Sequence, residues 1–145
     1  MDIPDRKNLK GANFIRANFQ GADFEQADLR GANLEGANLQ EADLIMANLE
    51  EANLQGTNFI RANLAGANLT GSNFENANLE GANLENANLE GANLENANLE
   101  GTNLENANLE ETYGLSIDQL SKVKTLYNAK LDEELLIPLN LDSAG

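Results

Sequence analysis

The 145-residue chain has no cysteine and no histidine. The first absence removes any disulfide framework and all thiol chemistry, and it leaves the redox compartment open. The second removes the usual general base. The serines Ser72, Ser116, Ser121 and Ser143 have no base beside them in any recognisable motif, so nucleophilic catalysis has no candidate. Long apolar runs are missing too, the longest being Leu135-Leu136-Ile137, far short of a membrane span. The opening residues Met1 to Arg6 are charged and unlike a signal peptide, so a cytoplasmic, single-domain protein is expected. Positive charge is also scarce: no Lys or Arg occurs between Ala62 and Ser121, and the net charge is −15. A protein that binds nucleic acid directly needs a basic patch for phosphates, so that class is excluded.

What the chain does contain is one phrase. From Lys7 to Glu111, 21 five-residue units follow each other without insertion. Slot three of each unit is Leu or Phe, with Phe at 14, 19, 24, 59 and 74, and slot one is Ala except at Lys7, Thr57, Ser72 and Thr102. A helix turns about 100° per residue, so a period of five smears the apolar set around its circumference. A straight strand alternates faces with period two, so an odd repeat flips the Leu at every unit. The chain therefore bends once per unit and coils into an all-β solenoid with slots one and three inside. Gly or Asn in slot five, as at Gly11, Gly21, Gly31, Asn76, Asn86, Asn96 and Asn106, tolerates the positive φ of such bends. Periodicity alone leaves the number of sides open. The alternation of Gly and Asn from Gly71 to Glu110 is compatible with four.

The A-(D/N)-L-x-x phrase over residues 7–111 resembles the pentapeptide-repeat family. The resemblance implies a right-handed, quadrilateral β-helix in which four units complete each coil, hence about five coils. Three segments are expected: a lead at 1–6, the β-helix at 7–111, and a helical cap with a frayed tail at 112–145. In the first coil, Phe14, Phe19 and Phe24 either plug the open end or simply stand in for Leu. That end has only six leading residues to cover its strand edges, so it is the end at which a dimer would form; otherwise a monomer is expected. At the other end, Ser116-Ile117-Asp118-Gln119 forms a capping-box pattern. Leu120, Val123, Leu126 and Tyr127 continue at helical spacing. Asp132 is placed to cap a second short helix through Glu133, Glu134 and Leu135 to Ile137, ended by Pro138.

Two surfaces stand out. With four units per coil, slot four of one column reads Glu25, Ile45, Ala65, Glu85, Glu105, and slot five reads Gln26, Met46, Gly66, Asn86, Asn106. Ile45, Met46 and Ala65 then form an outward apolar patch, with Ile60 and Arg61 on the adjacent side, in a surface elsewhere mostly charged, amide or glycine. The second surface is acidic: Glu75, Glu80, Glu85, Glu90, Glu95, Glu100, Glu105 and Glu110 fill slot four in consecutive units. At about 4.8 Å per coil their density is comparable to that of duplex DNA. Some pentapeptide-repeat proteins mimic DNA towards DNA gyrase, and the resemblance extends that role here as an alternative. This chain departs from those proteins in having no loop insertion and in ringing all four sides with Glu. The acidic units also read as a solubilising surface. Carboxylates on a convex rod lack a cleft to raise a pKa and the enclosure that calcium needs, so neither catalysis, a cofactor nor a metal is expected. The leading expectation is a non-catalytic protein-protein interaction or scaffold protein with an unidentified protein partner; a purely structural spacer is a third reading.

Overall fold

The computed structural model describes residues 7–139. The expected N-terminal lead lies outside the described residues, and so does the expected frayed tail Leu139 to Gly145 except for Leu139 itself, whose N–H bonds Leu135 O at 3.3 Å. Each unit contributes a one-residue parallel bridge at slot two and a two-residue turn at slots four and five. The bridges pair each unit with the fourth one after it, as in Asn8↔Asp28, Asn13↔Asn33, Asn18↔Asn38 and Asp23↔Asp43, and the same register continues through coil after coil. One bridge per unit and a return after four units make four sides, the number that periodicity left open. Coils one to five are 7–26, 27–46, 47–66, 67–86 and 87–106.

The interior is the slot-one and slot-three set. Ala32, Leu34, Ala62, Leu64, Ala92 and Leu94 are all buried, and the same holds from coil two to coil five. Small and large side chains alternate, so successive coils interdigitate at close-packed density. Thr57, Ser72 and Thr102 are buried as well; their hydroxyls donate to the carbonyls of Leu34, Leu69 and Leu79 at 2.7, 2.7 and 2.8 Å. In coil one, Phe14, Phe19 and Phe24 pack edge to face with centroids 5.0 Å apart, a ring cluster in the first described coil.

The backbone accounting explains slot two. In Ala62-Asn63-Leu64-Ala65-Gly66, Ala62 N–H closes the turn on Phe59 O at 2.9 Å, and Asn63 N–H bonds Ala42 O of the coil below at 2.9 Å. Leu64 and Gly66 N–H bond Asn83 O and Glu85 O of the coil above at 2.7 and 2.8 Å. Only Ala65 N–H has no carbonyl to reach, and the Asn63 Oδ1 accepts it at 3.1 Å. The same Asx bond recurs in unit after unit, for example Asn33 to Glu35, Asp43 to Ile45 and Asn98 to Glu100. A slot-two side chain without this oxygen strands a donor at every corner, which is why Asn or Asp stands there.

Slot five takes positive φ throughout, and not only at Gly and Asn: Arg16, Gln26, Glu41, Met46, Glu51, Arg61 and Glu111 have φ of 56 to 60°. That conformation costs a non-glycine residue roughly 1–2 kcal/mol, held here by the ladder bonds on either side. The side chain of Met46 lies back across Gly66 one coil up, where a Cβ would meet its sulfur. Arg16 and Arg61 lie in the same way against Gly36 and Gly81.

The C-terminal segment differs from expectation. The capping box forms: Gln119 N–H donates to Ser116 Oγ at 3.1 Å and Ser116 N–H to Gln119 Oε1 at 2.7 Å. Helix α1 (Ile117–Leu120) is nevertheless a single turn. Val123, Leu126 and Tyr127 do not extend it, because the chain rejoins the ladder at Asn103↔Thr125 and Asn108↔Lys130. Thr125 Oγ1 accepts Tyr127 N–H at 3.0 Å as a slot-two Asn would, Asn128 takes φ +60°, and Ala129 N–H closes on Leu126 O at 2.9 Å. Residues 124–133 are thus two degenerate units, and α1 takes the place of one side, with Leu120 buried over the core. Helix α2 (Glu133–Leu136) follows. Asp132 stands at its N-cap position but makes no side-chain cap; its carboxylate accepts Glu111 N–H instead, at 3.0 and 3.1 Å.

Candidate functional site

Slots four and five are the corners of the coil, so each corner side chain is held by a turn whose two ends are bonded into the ladder. At the corner after Asp43, Ile45 N–H bonds Asp43 Oδ1 at 3.0 Å and Met46 N–H bonds Ala65 O at 2.9 Å. Ile45 and Ala65 are therefore stacked in one corner column, both half-buried, with Met46 beside them 58% exposed. Ile60 and Arg61 form the preceding corner of coil three, across the side that carries Asn63. Ile60 is half-buried, and Arg61 Nε reaches Glu41 Oε2 at 3.5 Å. The structure thus brings Ile45, Met46 and Ala65 together and sets Ile60 and Arg61 apart from them at a neighbouring corner.

Sequence reasoning missed Tyr127. It occupies slot four of the same column as Ile45 and Ala65, above Glu85 and Glu105, and is 70% exposed. The signal was the five-residue step from Leu126 to Leu131, hidden by the helical spacing of Leu120, Val123 and Leu126. Ile15, Tyr113 and Ile137 are the other large exposed apolar side chains among the described residues.

The eight glutamates fall two to a column: Glu90 and Glu110, Glu75 and Glu95, Glu80 and Glu100, Glu85 and Glu105. Among the described residues none of the eight is in an ion pair; the pairs are Lys7–Asp23, Arg30–Asp28, Arg61–Glu41 and Lys122–Asp118. Two carboxyl groups are shifted in opposite directions. Near the N-terminal end, the Arg30 guanidinium bonds Asp28 at 2.7 and 2.9 Å and holds its carboxyl down at about 2. In coil four, a hydrogen bond to the stacked Glu95, with burial and like-charge repulsion, pushes the Glu75 carboxyl up. A raised folded pKa stabilises the fold below the ordinary Glu value of about 4.3 and loses that contribution as pH rises through the raised value. The contribution of Glu75 to the melting temperature at low salt is therefore expected to fall as pH rises from about 4.3 through that raised value. Glu75→Gln should flatten that slope in melts followed by circular dichroism; an unchanged slope would remove the Glu75–Glu95 stack as its cause.

A solenoid whose corners are closed by Asn or Asp and whose interior is filled by Ala with Leu or Phe is the architecture of a pentapeptide repeat. The family model described as pentapeptide repeats (8 copies) matches residues 8–44, 47–86 and 77–112. The chain belongs to the pentapeptide-repeat family. Among solved structures it is similar to the pentapeptide repeat protein Rfr23 from the cyanobacterium Cyanothece 51142: 34% identity, 88% of this chain and 85% of that one covered, TM-score 0.50. The pentapeptide repeat protein alr5209 from Nostoc PCC 7120 is 31% identical over 81% of this chain and 86% of its own, with TM-score 0.50. QnrB1, a plasmid-mediated fluoroquinolone resistance protein, shares the fold at 22% identity and TM-score 0.54, with 89% and 73% covered. No curated protein matches the chain. Among the described residues no helix is long and apolar enough to cross a membrane.

Proposed function

We propose that this is a non-catalytic, cytoplasmic interaction protein, a monomeric rod that presents the Ile45/Met46/Ala65 corner to a protein partner, with Ile60 and Arg61 on the neighbouring corner as flanking contacts. The observation that carries the reading is Met46: a flexible apolar side chain 58% exposed in a left-handed turn, next to two stacked apolar residues, where most other corners of the repeat show charge, amide or glycine, Ile15, Ile60 and Thr70 being the exceptions.

The test is a pull-down from the native cell extract with wild type and an Ile45→Glu/Met46→Glu variant. Glu50-Glu51 already occupies the equivalent two slots, with Glu51 at φ +60°, so the substitution keeps the coil. Proteins captured by the wild type should be lost from the variant. Equal capture by both would sink this assignment.

Among the described residues the eight glutamates make no ion pair, which favours a second reading, a DNA mimic acting on DNA gyrase through Glu75 to Glu110. Its test is gyrase supercoiling titrated with wild type and with a variant carrying Gln at 75, 80, 85, 90, 95 and 100. Inhibition that disappears in the variant supports it, and no inhibition by the wild type removes it.

A further inference from the structure

Among the described residues, bridges continue coil five on three of its four sides. Asn88, Asn93 and Asn103 bridge upward to Asn108, Tyr113 and Thr125, whereas Asn98 bridges Asn78 below and nothing above among the described residues. Gly114, at φ +75°, turns the chain off the ladder, and α1 passes over the gap. One coil lower the same place is complete. There Asn76 N–H bonds Glu95 O at 3.0 Å, Leu79 N–H bonds Asn98 O at 2.8 Å, and Ala77 O accepts from Asn98 N–H at 2.9 Å.

In coil five the side chain of Gln119 replaces the missing donor: its Nε2 bonds Ala97 O at 2.9 Å and Leu94 O at 2.8 Å. The missing acceptors are not replaced. Among the described residues, nothing accepts from the N–H groups of Asn96 and Leu99, although Leu99 is buried. A buried N–H without an acceptor costs about 1–3 kcal/mol, a deficit that an incoming carbonyl removes. Both residues line a cavity of about 550 Å³ between coil five and α1. Its walls also hold Glu95 and Lys122, and the Lys122 ammonium is engaged by Asp118 at 3.3 Å. Glu95 has no cation beside it among the described residues and stacks on Glu75, so the notch carries uncompensated negative charge next to two free donors.

We propose that this notch is a second binding site, which takes an extended basic peptide segment of a partner protein. Backbone carbonyls of the segment accept from Leu99 and Asn96 as those of Asn98 and Glu95 do for Leu79 and Asn76, and a Lys or Arg side chain pairs with Glu95. This is strand addition to an open sheet edge, with charge choosing among strands. A small anion would satisfy the same donors but meets the carboxylates of Glu95 and Asp118. The site lies on the corner diagonally opposite Ile45 and Met46 and does not depend on their role.

The test uses the ¹⁵N-labelled full-length protein and two blocked hexapeptides, acetyl-Lys-Val-Lys-Val-Lys-Val-amide and its Glu-for-Lys counterpart. In the free protein the Leu99 amide should exchange with solvent at least about tenfold faster than that of Leu79. The basic peptide should shift the Asn96 and Leu99 resonances and slow their exchange by about tenfold. Glu95→Gln should weaken binding about two- to fivefold, while Glu85→Gln, on the opposite corner, leaves it unchanged. The proposal is overturned if the Leu99 amide is already as protected as that of Leu79, or if neither resonance moves at about 10 mM basic peptide. Equal shifts with the acidic peptide, or equal weakening by Glu85→Gln, overturn it as well.

Discussion

Phe59→Ala should lower the unfolding free energy by about 3–5 kcal/mol, the range for emptying a fully buried aromatic site. Phe59 has no exposed surface and its ring centroid lies 5.7 Å from that of Phe74, so the cavity opens between coils three and four. The walls cannot collapse into it, because the residues above and below, Leu39 and Leu79, are tied by ladder bonds at fixed coil spacing. Phe59→Leu should cost much less, since Leu fills this slot in most units of the chain. Phe14→Ala should also cost less, because Phe14 is only half-buried at the end of the coil. Urea unfolding of the three variants checks the order. If Phe59→Ala proves no worse than Phe14→Ala, the solenoid interior is not the continuous core described above.

Gly114→Ala should cost about 2–4 kcal/mol, combining backbone strain with overpacking. An added Cβ would lie 2.7 Å from Glu95 Cα and 2.8 Å from Glu95 N, atoms of the coil below that cannot swing aside as a side-chain end could. The φ of +75° adds its own penalty. Gly91→Ala is the control: it shares the positive φ, but its added Cβ meets nothing nearer than 4.0 Å, so it reports the conformational cost alone. The damage at Gly114 should be local at first, because solenoid stability is a sum of neighbour contacts. Amides of Leu94, Gly101 and Leu104, which donate to Tyr113, Lys122 and Thr125, should lose protection against hydrogen exchange. Those of Leu34 and Leu39 should keep it. Equal protection throughout, with Gly114→Ala no less stable than Gly91→Ala, would show that the chain can leave coil five without this glycine.

The two variants test different layers of the molecule. Phe59 belongs to the repeated part, where each unit has the same five environments and any unit predicts the next. Gly114 belongs to the one place where the phrase breaks and the coil must be finished by other means. Gln119 is part of that finish: its amide stands in for a strand donor, while its carbonyl oxygen accepts from Ser116 to start α1. The open N–H groups of Asn96 and Leu99 follow from the same substitution of a helix for a side.

The sequence by itself determined the solenoid, because a five-residue apolar period sustained from Lys7 to Glu111 satisfies neither helix nor strand and leaves repeated bending as the one way to bury Ala and Leu together. It also determined the acid, the absence of cysteine and histidine, and the column that joins Ile45 to Ala65 once four units per coil are granted. The role of Asn in slot two was not legible there, since the need for its oxygen appears only when every other N–H is found to be taken by a neighbouring coil. Nor was the end of the coil: Leu120, Val123 and Leu126 satisfy helical spacing while Leu126 and Leu131 satisfy the five-residue step. Local pattern cannot choose between them. The tertiary structure chose, because Asn103 and Asn108 offer bridges to Thr125 and Lys130 that a longer α1 would leave unmade, at the expense of one unfilled side above Asn98.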